Sequence, residues 1–123
     1  MYTDQLQQVM KQLGTLPMKE VEIKLEGEEE AMPIQFFSEE DVLEEQAGYR
    51  HDEEGHSFVN GQEGDWQESW FVIGCDEYTG DPFFIALDNP QYPVYTAEHG
   101  VRVWKPVLVA HSLDQFLAQL TVL

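Results

Sequence analysis

Residues Trp70 to Asp88, WFVIGCDEYTGDPFFIALD, constrain the fold more than any other stretch of the chain. An apolar run, a Gly-Asp turn and a second apolar run ending in Asp read as a buried hairpin. Trp70 to Cys75 is apolar throughout apart from Gly74, the pattern of a central strand covered on both faces. Asp76 to Asp81 supplies the turn, with Thr79-Gly80 at its tip, and Phe83 to Asp88 the returning strand.

The remaining elements follow from spacing. Leu6, Val9, Met10 and Leu13 share one helical face and predict a helix over Thr3 to Leu13, stopped by Gly14 and Pro17. Met18 to Glu26 alternates, with Val21, Ile23 and Leu25 on one side, and predicts a half-buried strand. Ile34 to Phe37, with Pro33 at its start, predicts another. Ser38 is an N-cap residue ahead of a short outer helix that runs to Ala47, with Gly48 as its stop. Ser57 to Asn60 reads as a small strand and Gly61 to Gly64 as a loop. Val94 to Thr96 and Val101 to Ala110 are extended, the latter broken by Pro106. Ser112 with Gln115 three residues on opens a last helix carrying Leu113, Phe116, Leu117 and Leu120. The expected fold is α+β: one domain over 1–123, a mostly antiparallel sheet of about six strands flanked by about three helices.

Charge narrows the partners. Twenty-four acidic residues against six basic ones give a net charge of −18. Such a surface repels nucleic acid phosphates and anionic membranes, and it steers basic proteins towards itself. The acids are densest from Glu20 to Glu54 and are expected to decorate one face. Within that stretch Glu39, Glu40, Asp41, Glu44, Glu45, Asp52, Glu53 and Glu54 are the candidate contacts for a basic partner, with Tyr49 and Trp66 as aromatic anchors. The single cysteine, Cys75, excludes a disulfide framework within the chain. The first residues lack the pattern of a secretory signal, and no apolar run reaches the roughly 18 residues of a membrane span, so the expected location is cytoplasmic.

Few residues suggest bond-making chemistry. His51 and His56 are five apart in an acidic loop, not at the i, i+4 spacing of a helical zinc pair. Asp76 to Asp81 has Tyr78 and Gly80 where a calcium loop needs acids. Cys75 closes a buried strand and reads as a small core residue rather than a nucleophile. Asp81 and Asp88 bracket an apolar strand and read as turn caps. His99 reads as a turn residue, and Trp66, Trp70 and Trp104 as packing. No phosphate loop, dinucleotide fingerprint or nucleophile elbow is present. No cofactor, metal or catalytic residue is expected.

One ordered set remains: Ile73-Gly74, Gly80-Asp81, Leu87-Asp88, Pro93-Val94-Tyr95, His99, Trp104 and the closing Ser112-Leu-x-x-Phe116-Leu117. In this order it resembles the SUKH superfamily, which includes yeast Smi/Knr-type cell-wall regulators and many bacterial immunity proteins. The resemblance covers the C-terminal part of the chain; the acidic N-terminal half departs from the usual pattern. It implies an antiparallel sheet with flanking helices, a mainly structural role for Gly74, Gly80, Asp81, Asp88, Pro93, Tyr95, His99 and Trp104, and a binding function. That function is neutralisation of a toxin domain, often a nuclease, whose basic groove an acidic protein could fill. The alternative is a regulatory or scaffold module of the same fold bound to another protein.

Overall fold

A computed structural model describes residues 3–14, 21–24, 29–38, 40–51, 54–59, 65–98 and 104–122. In chain order these form α1 (Thr3–Leu13), β1 (Val21–Ile23), β2 (Met32–Phe36), α2 (Val42–Glu45), α3 (Ala47–Arg50), β3 (Trp70–Asp76), β4 (Pro82–Ala86), β5 (Val94–Thr96), β6 (Val107–Ala110), α4 (Leu113–Gln119) and β7 (Thr121–Val122). The strands make one sheet, ordered β6-β5-β4-β3-β2-β1-β7, antiparallel at every junction. The fold is α+β, as expected. Its sheet gains a seventh, two-residue strand, and its helical segments number three if α2 and α3 are taken as one interrupted segment.

Period-two alternation builds two apolar layers, one on each face of the sheet. Phe71, Ile73, Phe83, Ile85 and Val94 point to the first, where Val9 of α1 and Leu113 and Phe116 of α4 complete the core. Val72 and Phe84 point to the second, under Trp66, Trp104, Tyr49 and Phe58. The central hairpin is therefore covered on both sides, which is why β3 reads as a continuous apolar run.

Turn chemistry agrees with the residue types present. Asp76, almost wholly buried, accepts the Tyr78 N–H through Oδ1 at 2.8 Å, and its carbonyl accepts the Gly80 N–H at 2.8 Å. Gly80 has φ +79°, a conformation that favours glycine. Asn89 plays the same part after β4, its Oδ1 accepting the Gln91 N–H at 3.0 Å. Ser112 caps α4 by accepting the Gln115 N–H at 3.0 Å, while Gln115 Oε1 takes the His111 N–H at 2.8 Å. Pro33 lies within β2, although β2 is an inner strand. Its carbonyl accepts the N–H of Glu77, just past the end of β3, so the position of the missing Pro33 N–H faces the β3–β4 turn, beyond the paired residues of β3.

Several expectations change. The outer helix does not stop at Gly48: it breaks at Gln46 and resumes as α3 through Gly48 to Arg50. Ser38 caps the turn ahead of it, Oγ accepting the Asp41 N–H at 3.2 Å, rather than the helix itself. Ser57 forms a single bridge with His51 instead of starting a strand, and Asn60 to Gly64 lie outside the described residues. The extended segment after Trp104 begins at Val107, past Pro106; Val101 to Val103 lie outside the described residues. Among the described residues, no helix is long and apolar enough to cross a membrane.

Candidate functional site

The α2–α3 segment passes from one apolar layer to the other: Val42 is buried in the first, and Tyr49 packs in the second. It crosses beside Val72, where β2 has ended and β3 carries a bulge between Val72 and Gly74. The crossing is pinned by Gln46. Its Nε2 donates to the Val72 carbonyl at 2.7 Å, and its Oε1 accepts the Val72 N–H at 2.8 Å. A carboxamide thus replaces the neighbouring strand for one residue. It also anchors the most acidic helix of the chain to the centre of the sheet.

The outward side of that helix is anionic. Glu40, Asp41, Glu44 and Glu45 are all exposed, as is Glu54 further on. Between Glu39 and Asp65 the only Lys or Arg is Arg50. Arg50 is engaged elsewhere, its Nη2 lying 2.7 Å from Glu68 Oε2. The α2 carboxylates therefore stand without a cation of their own segment. Glu39, Asp52 and Glu53 lie outside the described residues. Outside the Glu20–Glu54 stretch, Asp4, Glu68, Glu77, Asp88, Glu98 and Asp114 are exposed as well.

Four residues singled out in the sequence meet where α3 reaches the β3–β4 turn. The Tyr49 hydroxyl donates to the Gly80 carbonyl at 3.1 Å and lies within hydrogen-bonding reach of Cys75. Burial, with Cys75, Glu45 and Asp81 nearby, pushes the Tyr49 phenol well above its ordinary range. Burial likewise raises Cys75, reinforced by Glu45, Asp76 and Glu77. A nucleophilic cysteine needs the opposite environment, cationic and thiolate-stabilising. This cluster keeps its thiol protonated and serves as packing.

The two proposed aromatic anchors pack in the second layer, Trp66 wholly and Tyr49 in part. Trp66 is fully buried, with ring centroids 4.9 Å from Trp70 and from Trp104 and 5.0 Å from Phe84. It cannot present a face to a partner, because it is the centre of the second layer. Tyr49 is half-buried and stacks on Trp66 at 6.1 Å, held by its bond to Gly80. Among the motif residues, Gly74 has no room for a side chain: a Cβ there would sit 2.6 Å from the Gln35 carbonyl oxygen. Pro93 and Trp104 are buried, Tyr95 stacks on Phe84 at 5.9 Å, Asp81 pairs its carbonyl with the Asp76 N–H, and Asp88 is exposed. His99 lies outside the described residues.

Among the described residues the exposed large apolar side chains are Leu43, Tyr78, Val107 and Leu108. Tyr78, at the β3–β4 turn, is 83% exposed, and Leu43, between the acids of α2, is 64% exposed. Leu43 opens onto a groove of about 660 Å³ between α1 and α2, lined by Leu6, Met10, Val42 and Leu43 with Gln7, Lys11 and Gly14. A second, more polar groove of about 580 Å³ runs between α1 and α4, crossed by a 2.6 Å bond from Gln12 to Asp114. For the loop histidines, His56 Nδ1 lies 3.6 Å from Glu54 Oε2. Among the described residues no three His, Cys, Asp or Glu side chains gather as a metal site. Comparison with known proteins finds no matching family model, no similar curated protein and no similar solved structure.

Proposed function

We propose that this chain is a protein-binding module of the SUKH type, an immunity protein that neutralises a basic toxin domain by occupying its cationic surface. One observation carries the reading: Glu40, Asp41, Glu44 and Glu45 are exposed on α2 and the turn before it, which Gln46 ties to the sheet, and the cation of that segment, Arg50, pairs with Glu68. Fixed negative charge attracts an oppositely charged surface and speeds encounter with it. The wider negative potential of the molecule works in the same direction. The cationic groove of a nuclease, built for phosphates, is the complementary surface.

The test is co-expression with the product of a toxin gene adjacent to its own. A co-purifying complex that weakens as salt is raised is the expected result, accompanied by loss of toxin activity. The quadruple variant Glu40→Gln, Asp41→Asn, Glu44→Gln, Glu45→Gln should associate more slowly. Absence of a complex at low ionic strength, with both proteins folded, refutes the immunity reading. Capture of an unrelated basic protein instead leaves the regulatory alternative.

A further inference from the structure

We propose that β6 is the surface through which two copies of this chain pair, antiparallel and edge to edge, into one continuous sheet. β6 stands at the end of the strand order, and among the described residues no strand pairs with its outer side. A terminal strand offers free N–H and carbonyl groups, a template for a further strand. The opposite edge, β7, has two residues against the four of β6. Val107 is 58% exposed and Leu108 44% exposed. They stand opposite Thr96 and Tyr95 of β5, on alternate faces of the sheet, so the edge is apolar on both faces. Lys105 and Pro106, the residue types that blunt an edge, precede the strand and leave Val107 to Ala110 without one.

Charge names the occupant. Between Asp88 and Asp114, a stretch that holds both β5 and β6, Glu98 is the only acid, against Arg102 and Lys105. The net charge of −18 therefore comes wholly from the rest of the chain. Two copies repel each other wherever their acidic parts meet, and this edge is where close approach costs least. A basic protein finds no anion on β6 to hold it, whereas a second copy brings a strand of the same four uncharged residues, Val107 to Ala110. An antiparallel pair satisfies a twofold axis, each β6 offering the other the same groups. The acidic α2–α3 segment crosses at Val72 on β3, three strands in from β6, about 14 Å away at the usual strand spacing. It stays open in such a dimer, so the pairing neither needs nor blocks a basic partner.

The experiment is sedimentation equilibrium of the full chain over a range of concentrations, at low and high salt. The expected result is a monomer–dimer equilibrium that tightens as salt is raised, because salt screens the repulsion between two copies of charge −18. That sign is opposite to the one expected of a complex with a basic protein, so the two readings fail separately. Leu108→Glu, its fold checked by thermal melting, sets like charges close together across the twofold axis and should weaken the dimer at least about tenfold. Leu43→Gln, on α2, should leave the dimer unchanged. Hydrogen exchange at the β6 amides should slow as the dimer forms, a readout that needs no substitution. A monomer at every concentration in high salt, a dimer that Leu108→Glu leaves intact, or β6 amides whose exchange ignores concentration overturns the edge pairing and leaves the basic-partner reading as it stands.

Discussion

The carboxamide of Gln46 and the backbone of Val72 form a two-bond pair, 2.7 Å and 2.8 Å, that stands where a strand would otherwise continue. The same Nε2 also donates to the Val42 carbonyl at 2.7 Å, closing the turn in which α2 ends. Val72 is fully buried, so its N–H and carbonyl have no water to turn to.

Gln46→Ala should therefore destabilise the chain well beyond a surface substitution. Leaving the two buried backbone groups of Val72 unpaired costs about 1–3 kcal/mol each, so a loss of about 2–6 kcal/mol is expected in urea unfolding. Gln46→Glu keeps the acceptor for the Val72 N–H but sets a carboxylate against its carbonyl. A parent-like midpoint for Gln46→Ala would remove Gln46 from the role assigned to it.

Gly74→Ala separates a packing role from chain entropy. Replacing glycine inside a strand ordinarily stabilises by about 0.5–1 kcal/mol. Here the new Cβ would meet the Gln35 carbonyl oxygen at 2.6 Å and the Phe36 Cα at 3.2 Å, both backbone atoms of the adjacent strand. Overpacking of this kind costs about 1–3 kcal/mol, so the sign should reverse and the melting temperature fall.

Trp66 is the centre of the second layer, and its Nε1–H is buried without an acceptor among the described residues. Trp66→Ala should cost about 3–5 kcal/mol through the cavity it leaves. Trp66→Phe keeps a ring against Trp70 and Trp104 and removes the unpaired donor, so its loss should be less than half as large. Denaturant midpoints of the two variants decide it; equal losses would mean that the indole nitrogen is satisfied in solution.

Alkaline pH should loosen the corner where Tyr49 meets Cys75. Both groups are neutral when protonated, and burial, chiefly, raises both in the folded chain. Their contribution is complete below the ordinary values, 9.0 for the thiol and 10.0 for the phenol, and is lost as pH rises through the raised folded values. In high salt, which suppresses general repulsion, stability should fall above pH 9 and fall less steeply in Tyr49→Phe. An identical slope in that variant would show that the phenol ionises freely.

Legibility followed the range over which each signal acts. The apolar stripe of α1 and the Ser112 cap of α4 are local, and both helices stand where spacing put them. The hairpin of β3 and β4 was plain because burial on both faces leaves a continuous apolar run. Of the two roles open to Trp66, packing stands and the anchor role fails: its neighbours Asp65 and Gln67 are polar, and only the fold places the sheet beneath it. Gln46, one amide among acids, acquires its role only when Val72 arrives from 26 residues away. Val42 takes the buried position of α2, while Leu43, its neighbour in the chain, is exposed beside α1. The two residues of β7 are too few for any periodicity, and only their pairing with β1 identifies them.

That pairing joins Val21 to Val122. During synthesis on the ribosome, β1 must wait for nearly one hundred further residues before its outer side is covered. Until then an open edge of the nascent sheet is available to any extended segment nearby, a mispairing hazard that ends only when β7 docks on β1.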